Sequence, residues 1–304
     1  MLASLPGLIR VPLVLLSLAL SLPLHVLPLL ALTLLKVVLP IPWLRRACSR
    51  GLVHIAESWI AVNNALFDMF TRIHWDIDGV DDLHRDRSYL LLCNHQSWVD
   101  IAVLQKVFNR RIPFLRFFLK QQLIWVPLLG AAWWALDFPF MRRYSIRTVL
   151  RHPELRGKDM EATRRACRKF RHIPVSMVSF VEGTRFTPAK HAAQSSPFRY
   201  LLRPRAGGVA YVLDAMGDAL HAILDVTVIY PDGPCTLLDL LVGRLRHVHV
   251  SVRTLPIDES LRGNYTEDTT FRGRVKARVN ELWQEKDAHI GQILSAPAAD
   301  KTGG

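Results

Sequence analysis

No two of the four cysteines form a C-x-x-C pair: Cys48, Cys93, Cys167 and Cys235 are scattered. That spacing offers neither a disulfide frame nor a zinc site and suits a reducing compartment. Acidic residues are few, 26 against 39 Lys and Arg, which gives a formal charge of +13. Such a balance fits an anionic partner, either lipid headgroups or nucleic acid. Charge of either sign is missing altogether from Val11 to Leu35, a run made mostly of Leu and Val. The run is long enough to span a bilayer and longer than a usual signal-peptide core. No small-residue cleavage site follows it; Pro40, Pro42 and Trp43 come next. No internal repeat is evident.

What is present is apolar. Half of the 304 residues are hydrophobic and mean hydropathy is +0.16, too high for an ordinary soluble enzyme. Residues 1–50 read as a membrane anchor, and Arg45, Arg46 and Arg50 put the bulk of the chain in the cytoplasm by the positive-inside rule. Pro12, Pro23 and Pro28 leave a kinked or re-entrant segment as the alternative to a full crossing. Residues 51–72 repeat Leu52, Ile55, Trp59, Val62, Leu66 and Phe70 at helical spacing, as a core helix or a helix lying on the bilayer would. Residues 73–292 form the main domain, and 293–304 are expected to be a disordered tail. Apolar runs at 89–93, 175–181 and 222–230, alternating with helical patterns, predict an α/β fold with a central mixed, largely parallel sheet flanked by helices. Leu245 to Leu255 adds a half-exposed strand, on which His247 and His249 read as exposed histidines rather than metal ligands.

The chemistry concentrates at two strand ends. Tyr89 to Cys93 stops at Asn94-His95-Gln96-Ser97, and a helical pattern starts at Trp98. Ser97 and Asp100 have the spacing of a capping box. His95 and Asp100 cannot share one face of a helix, so they meet only if His95 lies outside it and folds back over its first turn. So placed, the imidazole can take a proton from a hydroxyl while the carboxylate fixes its tautomer. The plain alternative is a polar loop histidine beside an ordinary acidic residue in a first helical turn. The second strand, Val175 to Val181, ends in Glu182-Gly183-Thr184-Arg185. Gly183 permits a tight turn, Thr184 brings a hydroxyl, and Arg185 brings a fork suited to phosphate. Glu182 can orient Arg185 or bind a substrate hydroxyl. A polar turn with a local ion pair is the alternative. Between the two motifs, Trp125, Trp133 and Trp134 sit among Leu and Ala, bracketed by Lys120, Arg142 and Arg143. That stretch suits a groove for an acyl chain, or simply core. Nucleic acid is disfavoured as a partner, because aromatics do not interleave with the basic run at 164–171.

Asn94-His95 to Asp100 resembles the NHxxxxD motif, and Phe180 to Arg185 the FxEGTR motif, of the glycerolipid acyltransferase family that includes bacterial 1-acyl-sn-glycerol-3-phosphate acyltransferase. Lys120, Pro127, Gly130 and Phe138 to Arg142 look like that family's intermediate block. Asp225 to Pro231 resembles its fourth block in the lysocardiolipin-type form. Phe186 stands where many members have Ser, and Pro139 blurs the choice between Arg142 and Arg143 as the phosphate ligand. The resemblance implies a glycerol-3-phosphate acyltransferase-like fold at the bacterial inner membrane, with its catalytic domain on the cytoplasmic side. It implies acyl transfer from acyl-CoA or acyl carrier protein to the sn-2 hydroxyl of lysophosphatidate, giving phosphatidate. His95 would be the base and Asp100 its orienting partner, supported by Asn94 and Ser97. Glu182, Gly183, Thr184 and Arg185 would hold the glycerol phosphate with Arg142, Arg143 and Lys120. Amides near Gln96 to Trp98 would stabilise the oxyanion. No metal or bound cofactor is implied. A lysocardiolipin or other lysophospholipid acceptor, a thioesterase and a non-catalytic lipid binder are the alternatives.

Overall fold

The computed structural model describes residues 2–39, 41–141, 151, 167, 170 and 173–296. Two long helices lead in, α1 (Gly7–Val38) and α2 (Pro42–Phe70). Then come β1 (His74–Asp78), β2 (Ser88–Cys93), α3 (Val99–Phe108), β3 (Leu115–Phe117), β4 (Leu119–Lys120), α4 (Leu129–Ala135), β5 (Phe140–Met141) and β6 (Ser176–Phe180). After β6 the principal elements are a helix at Ala206–Met216, β7 (Leu220–Ile229), β8 (His247–Pro256) and a C-terminal helix at Thr269–Ser295.

Six strands make one sheet in the order β1-β8-β7-β2-β6-β3, and β4 and β5 pair separately. Every neighbour in the large sheet is parallel except β7 and β8. The sheet is therefore mixed and largely parallel, as the sequence predicts. Strands β3, β6, β2 and β7 consequently end on one edge, where an α/β sheet collects its ligands. β2 is buried at every position, which its unbroken run SYLLLC anticipates.

Side chains alternate between two cores. Tyr89, Leu91 and Cys93 face a cluster with Val26, Leu52 and Val103, from α1, α2 and α3. Leu90 and Leu92 face Val209, Val275 and Trp283 of the helices on the other side.

Several boundaries differ from the sequence reading. α2 starts at Pro42, not Gly51, so the basic flank of the anchor and the amphipathic helix are one element. Proline suits the first turn of a helix, where its missing N–H is no loss. Gly51 marks a close approach rather than an end: a Cβ there would lie 2.7 Å from Leu32 Cδ2 on α1. Pro12, Pro23 and Pro28 all lie within the single helix α1. The Trp-rich stretch folds as a 3-10 turn at Gln121–Trp125 followed by the short α4, with Trp125 and Trp134 exposed. The C-terminal helix runs to Ser295, past the expected boundary at 292; the rest of the expected tail, 297–304, lies outside the described residues.

Candidate active site

The first motif loop is tied down before its chemistry begins. Asn94, fully buried, donates through Nδ2 to the Val228 carbonyl (2.8 Å) and accepts the Val228 N–H at Oδ1 (2.9 Å). Its side-chain amide thus replaces a backbone peptide in the link to β7 at the point where β2 leaves the sheet. His95 comes next. Its ring stacks on Phe180, the last residue of β6, with centroids 3.9 Å apart and planes 15° apart. Phe180 in turn stacks on Phe117 at the end of β3.

His95 does fold back over the helix start. Its Nδ1 lies 2.8 Å from Asp100 Oδ2. Asp100 has no solvent exposure, so the dyad is dry on the carboxylate side. The same Oδ2 accepts the N–H groups of Gln96 (2.7 Å) and Ser97 (2.9 Å), and Oδ1 accepts the Tyr230 hydroxyl (2.6 Å). A carboxylate only accepts, so Nδ1 carries the proton and the neutral ring presents its lone pair at Nε2. That is the tautomer a general base needs.

These bonds correct two expectations. The capping box forms only in part: Ser97 Oγ accepts the Val99 N–H (3.2 Å) rather than that of Asp100, which goes to the Ser97 carbonyl (3.3 Å). Half of the capping box survives, namely the carboxylate reaching back to the Ser97 amide. The Gln96 and Ser97 amides cannot serve an oxyanion either, because both are spent on Asp100.

The second loop leaves β6 directly beside the first. The Val181 N–H donates to the Cys93 carbonyl (3.2 Å), and the Phe186 N–H to the His95 carbonyl (2.7 Å). Gly183 turns the chain between them at φ +71°, a left-handed conformation that glycine adopts without strain. Arg185 lays its guanidinium over the Trp98 ring, 4.8 Å from the centroid, at the start of the helix that carries Asp100. The guanidinium and the imidazole thus belong to loops bonded to each other.

Glu182 behaves otherwise than expected. It is 1% exposed and makes no ion pair with Arg185 among the described residues; its Oε2 has no hydrogen-bond partner. Burial pushes its carboxyl up to about 8, opposed by a hydrogen bond from the His95 backbone. It therefore sits neutral beneath the loop junction at pH 7. Thr184 is engaged by Lys190, whose ammonium donates to Thr184 Oγ1 (2.8 Å) and to the Arg185 carbonyl (2.9 Å). Lys120 is exposed on β4, beyond the end of β3, and among the described residues no hydrogen bond or ion pair joins it to the other site residues. Arg142 and Arg143 lie outside the described residues.

Tyr230 and Lys190 escape the sequence reading of the site. Tyr230 stands at the end of the buried strand next to β2, and a hydroxyl at such a position was the available signal. Burial and the neighbouring Asp100 carboxylate push its phenol well up, so it stays a donor.

A sequence model described as Acyltransferase matches residues 74–231, which contain both loops and Tyr230. The chain is similar to 1-acyl-sn-glycerol-3-phosphate acyltransferase gamma of Homo sapiens, 29% identical over 78% of this chain and 59% of that protein. It is similar also to lysocardiolipin acyltransferase 1 of Danio rerio, 26% identical over 78% of this chain and 60% of that one. It thus spans about three fifths of the length of these curated relatives. The crystal structure of PlsC, the 1-acyl-sn-glycerophosphate (LPA) acyltransferase of Thermotoga maritima, shares the fold with a TM-score of 0.58 at 15% identity, covering 96% of this chain and all of that one.

Proposed function

From the premise that this chain belongs to the acyltransferase family, we propose that it moves a fatty acyl group from a thioester to the sn-2 hydroxyl of 1-acyl-sn-glycerol 3-phosphate. The observation that carries this reading is the pairing of the two loops. An imidazole whose Nδ1 is held by a buried carboxylate stands on one loop, and an exposed guanidinium on the other.

In this mechanism His95 Nε2 takes the proton of the acceptor hydroxyl as its oxygen attacks the thioester carbonyl carbon. The Asp100 carboxylate stabilises the imidazolium that forms. The tetrahedral intermediate then collapses, the C–S bond breaks, and the imidazolium returns its proton to the leaving thiolate. Arg185 holds the acceptor phosphate, with Arg142, Arg143 and Lys120 as further cationic candidates. The donor is acyl-CoA or acyl carrier protein. The apolar cavity between α1, α2 and α4, lined by Val26, Leu29, Trp59, Ile60, Trp133 and Phe138, measures only about 40 Å³, too small to hold an acyl chain. The helix α1 anchors the enzyme, and Arg45, Arg46 and Arg50 favour a cytoplasmic catalytic domain at a bacterial inner membrane.

The test is thiol release from acyl-CoA by purified protein, with and without lysophosphatidate. Release that requires the acceptor, yields phosphatidate and drops about 10²–10⁴-fold in His95→Ala is expected. Acceptor-independent formation of free fatty acid would instead identify a thioesterase. Transfer to lysocardiolipin but not lysophosphatidate would move the enzyme to that acceptor.

A further inference from the structure

A second cluster of chemistry lies at the sheet's other edge. β1 reads His74-Trp75-Asp76-Ile77-Asp78, and β8 opens His247-Val248-His249. The strands pair in register, with His74 opposite His247 and Asp76 opposite His249. Alternation puts all these polar side chains on one sheet face, opposite the core that Val248 and Val250 join.

His249 is not the exposed strand histidine its sequence suggests; it is 4% exposed. Its Nδ1 lies 2.6 Å from Asp76 Oδ2, so in the neutral form of the ring Nδ1 carries the proton and Nε2 presents a lone pair. That Nε2 is buried without a hydrogen-bond partner, and Asp78 Oδ2 faces it at 3.8 Å. Two acceptors facing each other repel unless a cation lies between them. One donor atom from each of Asp76, Asp78 and His249 falls within 4.8 Å of the others.

The C-terminal helix brings one more ligand. Lys286, buried, bonds to the Val226 carbonyl (2.6 Å) and fixes the helix against β7. Almost one turn further on, the His289 ring stands 6.0 Å from that of His249, and its Nε2 is likewise buried without a partner. Two imidazoles sharing a tetrahedral zinc stand about 5 Å apart between ring centres, given ~2 Å Zn–N bonds. The observed centroid spacing is about 1 Å longer, and His289 places no donor atom within 4.8 Å of all three of those of Asp76, Asp78 and His249, so its ring must turn inward to coordinate. Asp76 and Asp78 are exposed, which gives an ion its way in.

We propose that His249 Nε2, an Asp78 carboxylate oxygen and His289 Nε2 bind one divalent transition-metal ion of the zinc type, with Asp76 orienting His249 through Nδ1. Imidazole with carboxylate prefers such an ion to magnesium or calcium, and a carboxylate on the distal nitrogen is the usual support of a metal-bound histidine. The site staples β1, an edge strand paired only with β8, to the sheet and to the C-terminal helix. A proton on Nε2 is the rival occupant of the same gap, and metal titration separates the two.

The experiment uses the full chain, purified in detergent and stripped with a chelator. Zn²⁺ is titrated by equilibrium dialysis with elemental analysis, and the melting temperature is followed in parallel. One saturable equivalent and a raised melting temperature are expected. Asp78→Asn and His289→Gln should each weaken binding at least tenfold and cancel the thermal shift. His247→Gln, at the neighbouring pair, should leave both unchanged. Circular dichroism confirms that the variants fold; Asp78 is exposed enough for its variant to do so. The proposal is overturned if the wild type takes up no saturable equivalent, if both ligand variants bind like wild type, or if binding is lost in His247→Gln instead.

Discussion

Asp100 shows how a single buried charge is made tolerable. A carboxylate without water is costly unless its lone pairs are filled, and here an imidazole, two amides and a phenol fill them. Tyr230→Phe removes one of the four donors and leaves Oδ1 buried and unmatched. The expected cost is about 2 kcal/mol of stability in urea denaturation, as for hydrogen bonds to charged groups. A roughly tenfold fall in kcat, equivalent to ~1.4 kcal/mol, should accompany it with KM for the acceptor unchanged, since Tyr230 acts through Asp100. An unchanged kcat would remove Tyr230 from the positioning set. Glu182 makes the opposite kind of prediction. Its carboxyl is held up at about 8 in the fold against an ordinary 4.5. Between these two values the folded chain binds the extra proton, so stability falls as pH rises from 4.5 through 8. Glu182→Gln should flatten that decline in urea midpoints; a decline identical to wild type would show that the carboxyl is not buried neutral. His95 and Asp100 were legible in the sequence because a buried strand running into a helix start leaves His95 on the loop, where it can fold back over the first turn; the five-residue spacing alone left a plain polar loop open. Tyr230 was not, because its partner arrives from another strand through the sheet order, which no local pattern encodes.

At the scale of elements, the strand ends do the positioning. β2 and β6 are adjacent and parallel, so their following loops must emerge side by side. The apolar runs announced both strands, and the parallel arrangement followed from the helices between them. The start of α2 was not legible, because Gly51 carries the same letter whether it ends a helix or lets two helices touch. Gly79, just after β1, is different in kind. It has φ +76°, and a Cβ there would meet the Val252 carbonyl oxygen at 1.9 Å. Backbone cannot swing aside as the Leu32 side chain can. Gly79→Ala should therefore cost about 3 kcal/mol or more, combining left-handed strain with displacement of β8. Gly51→Ala should cost far less. Thermal melts of the two variants side by side check the contrast, and equal shifts would refute it.

The whole molecule is asymmetric about α1. One side of the helix turns Val14, Val26 and Leu29 inward. The other side leaves Leu20, Leu24 and Leu27 more than 60% exposed. It is the one helix among the described residues long and apolar enough to cross a membrane. An apolar stripe of this kind, on a chain of charge +13, needs a cover that water does not provide. If lipid is that cover, Leu20→Asp, Leu24→Asp and Leu27→Asp together should release the protein from membranes. Each acid placed at bilayer depth costs roughly 3 kcal/mol on the insertion scale, and the three act on the same face. The buried side predicts the converse: Val26→Asp should lower the melting temperature in detergent, because it puts a charge between α1 and the core. Flotation of the triple variant with vesicles, undiminished at high salt, would show that α1 does not carry the attachment. Flotation that salt abolishes would assign the remaining attraction to the basic surface, since screening acts on exposed charges and not on apolar contacts with lipid.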